Sequence, residues 1–157
     1  MIRTTAFAFA AMAGLALSGC NPIANLEEAE EQIDRYQAHY SANELGNMYA
    51  MTGTKFRETS SLGEFEEFAT LINGRLGEIV TTQRVKFNVK SSPSGTITSV
   101  VMQTNFEQGE GTETYTFSGS GEDMRLEGWN VNSNRLMITS AELEQLNTSQ
   151  DVSEAVN

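Results

Sequence analysis

The sequence predicts an α+β domain, with N-terminal helices packed on a curved four-stranded antiparallel meander. Three observations predict it. Apolar residues recur at helical spacing between Leu26 and Leu76. From Arg84 onward the hydrophobic period drops to two. The links between the later alternating runs are about five residues long, while a parallel crossover needs roughly a dozen, so these strands pair antiparallel. Helices first and strands after them is the α+β order.

Leu26 to Ser41 reads as the first helix, with Leu26, Ala29, Ile33, Tyr36 and Tyr40 on one apolar face. Glu27, Glu28, Glu30 and Glu31 crowd its expected first turns, where the helix dipole favours negative charge. Asn43 is placed to cap a short second helix from Glu44 to Met51, with Leu45, Met48 and Tyr49 inward and Gly53 as its stop. Ser61-Leu62-Gly63-Glu64 has the capping-box spacing, a hydroxyl with a carboxylate three residues on. The helix behind it should bury Phe65, Phe68, Ile72 and Leu76 and end at Gly77 in a left-handed cap.

Val85, Phe87 and Val89 alternate with charged and polar residues and predict a half-buried first strand. Ser91 to Gly95 has loop composition. Thr96 to Phe106 is the second strand, with Val100, Met102, Thr104 and Phe106 on one side. Glu107 to Gly111 turns the chain. Thr112 to Ser118 is the third strand, with Glu113, Tyr115 and Phe117 sharing a face. After a turn at Gly119 to Asp123, Met124 to Val131 is the fourth, with Trp129 and Val131 on the same side. Leu136 to Ile138 would extend it. A second capping pattern at Thr139 to Glu142 suggests a short helix to Leu146, and residues 147–157 form a polar tail expected to be disordered.

The 157 residues carry a formal charge of −11, with one Cys and one His. So acidic a chain repels phosphate rather than neutralising it, which argues against a nucleic-acid partner. One Cys excludes an intramolecular disulfide and a Cys-based zinc site. No run after the first twenty residues is long enough to span a bilayer as a helix.

Residues 1–19 have the layout of a signal peptide: Arg3 supplies the positive region and Ala6 to Leu17 a short apolar core. Leu17-Ser18-Gly19-Cys20 resembles the lipobox of bacterial lipoproteins. The resemblance implies cleavage before Cys20 and acylation of its thiol and new amine. Residues 20–25 would then be the lipidated Cys and a short tether, and residues 26–146 the folded domain. Cleavage removes Arg3 and no acid, so the mature chain is one unit more negative than −11. Such a net charge gives no polybasic help at an anionic surface, which leaves anchoring to the lipid. Asn21 rather than Asp follows the Cys. In lipoproteins of this type that implies the outer membrane, with the domain in the periplasm.

Residues 45–138 resemble small bacterial envelope proteins of unknown function within the cone-shaped nuclear-transport-factor-like and cystatin-like α+β group. The residues that carry the resemblance include Leu45 to Tyr49, Phe56, Glu64-Phe65, Leu76-Gly77, Thr104 to Phe106, Gly109, Glu113 and Tyr115 to Phe117. Leu126 to Trp129, Asn132 to Asn134 and Leu136 complete it. It implies a fold and an envelope setting, and no activity.

The chemistry on offer is sparse. His39 is the single histidine, too few for a metal site, and fits a helix end. Glu113 shares a strand face with Tyr115 and Phe117, so an inward face makes it a carboxylate near the core, where acid–base work or a structural pairing could use it. The glutamates at 27–31 lack the ligand loop of an EF-hand and read as a solvated face. No residue is assigned a catalytic role, and no metal or cofactor is expected. The expected function is therefore a non-catalytic interaction or self-association module of the envelope, attached to the membrane through Cys20. The alternative is a binding module for a small apolar ligand held between helices and sheet by Tyr36, Phe68, Phe87, Tyr115 and Trp129, with Glu113 as polar handle.

Overall fold

The computed structural model describes residues 21–137. It is α+β: four helices on the N-terminal side, then a curved open sheet of four antiparallel strands in sequential order. The helices are α1 (Pro22–Ser41), α2 (Leu45–Ala50), α3 (Thr54–Thr59) and α4 (Leu62–Leu76). The strands are β1 (Ile79–Ser92), β2 (Gly95–Phe106), β3 (Gly109–Ser118) and β4 (Arg125–Asn132). Among the described residues no helix is long and apolar enough to cross a membrane.

The first helix starts four residues earlier than its apolar stripe suggested. Asn21 caps it, its side chain accepting from the Ile23 amide at 3.1 Å, and Pro22 occupies a first-turn position where its missing N–H costs nothing. Asn25 and Leu26 are buried, so most of the expected tether is folded helix. The glutamates at 27–31 consequently lie beyond the first turn. They serve a solvated face, with Glu31 3.9 Å from Arg35 and Glu30 2.9 Å from Arg84.

The second helix is shorter than expected. Asn43 takes a positive φ of 55° instead of capping it. Gly53 does follow its end, but α3 begins at once, an element the short polar run Thr54–Thr59 did not reveal. Its tie to the sheet explains it. The Gly53 amide donates to the Leu126 carbonyl at 2.8 Å, and the Glu127 carboxylate on β4 accepts from the Phe56 amide at 3.1 Å and from Ser118 Oγ at 2.9 Å. A Cβ at position 53 would collide with that carboxylate. A carboxylate distant in sequence therefore does the work of a local cap.

The capping box before α4 forms as expected, with Ser61 accepting from the Glu64 amide and Glu64 accepting from the Ser61 amide. The buried stripe of α4 is Phe65, Ala69, Ile72 and Leu76. Phe68 lies off that stripe and is 41% exposed, which corrects its expected burial. Gly77 does have a positive φ of 77°, but its ψ of −163° is extended, so it is not a left-handed helical cap.

The largest departure is β1. It is an edge strand, open on one side, and its burial never settles into clean alternation. A bulge between Arg84 and Lys86 shifts the phase, so Arg84 pairs with Met102 and Phe87 with Val100, while Val85 drops out of the ladder. Val85 and Phe87 are exposed, not half-buried. β2, β3 and β4 alternate as expected. Val100, Met102, Phe106, Tyr115, Phe117, Leu126, Trp129 and Val131 close the core against Ile33, Tyr36, Tyr40 and α4. The β2–β3 link is only Glu107-Gln108, and Asn134–Leu136 forms a single 3₁₀ turn instead of extending β4. The expectations for residues 1–20, Ile138, the 139–146 helix and the 147–157 tail lie outside the described residues.

Candidate functional site

Strand alternation puts Glu113 and Tyr115 on the inner face of β3, as their spacing required. The register then sets Tyr115 opposite Trp129 on β4 and Glu113 opposite Met102 on β2. Thr104 stands on the same inner face of β2, and α1 lays Tyr36 and Gln37 across it. The result is a polar cluster inside an aromatic core.

Glu113 is its centre, with 1% of its surface exposed. One carboxylate oxygen, Oε1, accepts from the Tyr115 hydroxyl at 2.7 Å and from Trp129 Nε1 at 3.0 Å. The other, Oε2, accepts from Thr104 Oγ1 at 2.6 Å and from Gln37 Nε2 at 2.9 Å. Gln37 also reaches the Tyr115 hydroxyl at 3.3 Å, and Thr104 contacts Thr82 at 3.1 Å. The indole can only donate and Gln37 turns its NH2 inward, so each oxygen faces one N–H donor and one hydroxyl. This is a receptacle for a carboxylate acting purely as an acceptor. Four such bonds replace the water that burial removes.

The surrounding rings pack edge-on. Tyr36 lies 5.8 Å from Tyr115 and 5.3 Å from Trp129, and Tyr40 lies 6.3 Å from Trp129. Burial, and then the negative charge of Glu113, push the hydroxyls of Tyr36, Tyr40 and Tyr115 above the ordinary phenol value. Tyr40 donates to the Gly77 carbonyl at 3.1 Å, while the buried Tyr36 hydroxyl meets no partner among the described residues.

Four of the six residues expected to line a ligand site thus meet: Tyr36, Glu113, Tyr115 and Trp129. Phe68 touches the group only at its rim, its ring 5.7 Å from Trp129. Phe87 stands apart on the edge strand, under the guanidinium of Arg84. His39 is not among Glu113's bonding partners. Its Nδ1 lies 2.6 Å from Glu44 on the surface, where Asn47 and His39 hold the Glu44 carboxyl below the usual carboxylate range. Gln37 and Thr104 were missed as site residues. Thr104 was already on the inner face by alternation, and Gln37 follows Ile33 by four residues on the buried side of α1. A polar residue on an otherwise apolar stripe was the available signal.

The open grooves formed by described residues lie elsewhere. One of about 560 Å³ runs along α1 between Gln32, Arg35, His39, Met51, Glu122 and Arg125. Among the described residues no three His, Cys, Asp or Glu side chains converge as a metal site would require. No family model matches this chain, and no curated protein sequence matches it.

Proposed function

We propose that this chain is a bacterial envelope lipoprotein, cleaved before Cys20, acylated there and held at the outer membrane with its domain in the periplasm. The sequence Leu17-Ser18-Gly19-Cys20 behind a short apolar run supports that address. We infer further that the domain belongs to the cone-shaped α+β group and acts by binding another protein, not by catalysis. Glu113, the carboxylate best placed for acid–base work, has both oxygens engaged inside the core.

One observation carries the interaction reading. Helix α4 displays Phe68 and Leu71 to solvent one turn apart, and Leu71 lines an open groove of about 570 Å³ with Gly63, Glu66 and Glu67; Leu62 is exposed on the opposite side of the helix. Large apolar side chains rimmed by carboxylates suit a partner with an apolar centre and a basic rim. A second copy fits less well, because it would set Glu66 and Glu67 against like charges. A photo-crosslinking residue at Leu71 in living cells tests this, with Thr114 on the outer sheet face as control. An adduct from Leu71 alone is expected. An adduct of twice the chain mass would replace the heterologous partner with self-association. No adduct from Leu71, with the domain folded, would contradict the interaction reading.

A further inference from the structure

The formal charge of −11 is not spread evenly. Residues 79–106, the whole β1–β2 hairpin, hold Arg84, Lys86 and Lys90 and no Asp or Glu. Lys86 and Lys90 are exposed and have no acidic partner among the described residues. The same hairpin exposes Val85, Phe87 and Ile97. A basic, apolar surface on an acidic protein calls for a specific counterpart.

Its position in the fold says which. Tyr40 of α1 reaches Gly77, Gln37 reaches Thr82 and Glu30 reaches Arg84, so moving toward the start of α1 means moving up β1 toward the hairpin tip. β4 gives the same polarity, since Tyr36 meets Trp129 and Gln32 meets Met124. Between Glu30 and Pro22, α1 covers about 12 Å, whereas β1 covers about 26 Å between Arg84 and Ser92. The hairpin tip therefore reaches past the start of α1. That start is next to the anchor: Asn21 caps α1 and Cys20 is the residue before it. Ile23 in the first turn is 63% exposed.

We propose that the β1–β2 hairpin is a second membrane contact, docking on the anionic phospholipid surface of the bilayer that holds the acyl chains. This rests on the lipid anchor proposed above. Helix α1 begins too close to Cys20 to leave a slack tether, so the lipid fixes which end of the domain meets the bilayer. Lys86 and Lys90 then face lipid phosphates, each near-surface lysine supplying about 1 kcal/mol, or roughly fivefold in binding. Val85, Ile97 and Ile23 supply apolar contact at the interface, while Phe87 pairs with Val100 on the opposite face, under Arg84. The hairpin itself carries no acid, whereas Glu122 and Asp123 sit in the neighbouring β3–β4 link at the same end of the sheet.

The test uses the full acylated protein in vesicles of phosphatidylethanolamine and phosphatidylglycerol. An environment-sensitive fluorophore is attached through Ser94→Cys at the hairpin tip or Gln108→Cys at the opposite end of β2. Acylation blocks the Cys20 thiol, so the wild-type control takes no label, and intact mass confirms the acyl chains. A blue-shifted, lipid-quenched emission is expected at position 94 and not at 108. The double variant Lys86→Glu/Lys90→Glu should lose that shift while retaining its acyl chains and its Trp129 emission. If acylated protein shows the same aqueous emission at both positions, the docking proposal is wrong and the anchor stands. A shift at 94 that survives charge reversal would overturn the electrostatic contact. A mass without acyl chains would overturn the anchor itself.

Discussion

Glu113→Gln should destabilise the domain by about 2–4 kcal/mol, although it changes the side-chain volume little. The reason lies in the donor arrangement. In one amide orientation the new NH2 faces the Trp129 indole N–H. In the other it faces the Gln37 amide. Trp129 cannot accept, and Gln37 can accept only by turning its amide over, which gives up its Nε2 bonds to the Tyr115 hydroxyl and Thr82, so each orientation costs a buried hydrogen bond. The hydroxyls of Tyr115 and Thr104 can rotate, but they relieve only half of each conflict. Chemical denaturation followed by Trp129 fluorescence and circular dichroism would measure the loss. A change below about 0.5 kcal/mol would mean that the cluster does not lock the fold.

Alkaline pH should unfold the domain cooperatively. Tyr36, Tyr40 and Tyr115 are held protonated by burial and by the charge of Glu113, above the ordinary value of 10.0. The unfolded chain releases these protons more readily than the folded one, so the folded state loses stability as pH rises past 10.0. Once the unfolded phenols are ionised, the deeply buried pair Tyr36 and Tyr115 cost the folded state about 3 kcal/mol per further pH unit. Below that range their contribution is complete. Phenolate absorbance of these residues should therefore appear together with the loss of native Trp129 emission. Reversible ionisation near the ordinary value with unchanged Trp129 emission would contradict the burial argument.

The parts of this molecule that were legible in the sequence are those whose signals are local. The Ser61–Glu64 capping box, the inner faces of β2 to β4, and the convergence of Glu113, Tyr115 and Trp129 all follow from spacing and alternation. The rest depended on residues far apart in the chain. Helix α3 is held by Glu127, seventy-one positions beyond the Phe56 amide that it accepts from. Val85 and Phe87 obeyed the strand pattern, but a bulge and an open edge put both in solvent. Phe68 sits at helical spacing from other apolar residues, yet α4 turns its buried stripe through Phe65 and Ala69. The net charge conceals a local imbalance, since residues 79–106 hold Arg84, Lys86 and Lys90 and no acid. The Glu113 site was half visible: alternation supplied the acceptor, and only the packing of α1 supplied the Gln37 donor.

Cys20 is the decisive residue, because the anchor gives the domain its setting and the hairpin its counterpart. The direct measurement is the intact mass of the protein extracted with detergent from cell membranes, with fragmentation of its N-terminal peptide. The expected product begins at Cys20 and carries fatty acyl mass on that residue. A membrane-extracted chain that keeps residues 1–19, or one that begins elsewhere with an unmodified Cys20, would contradict it.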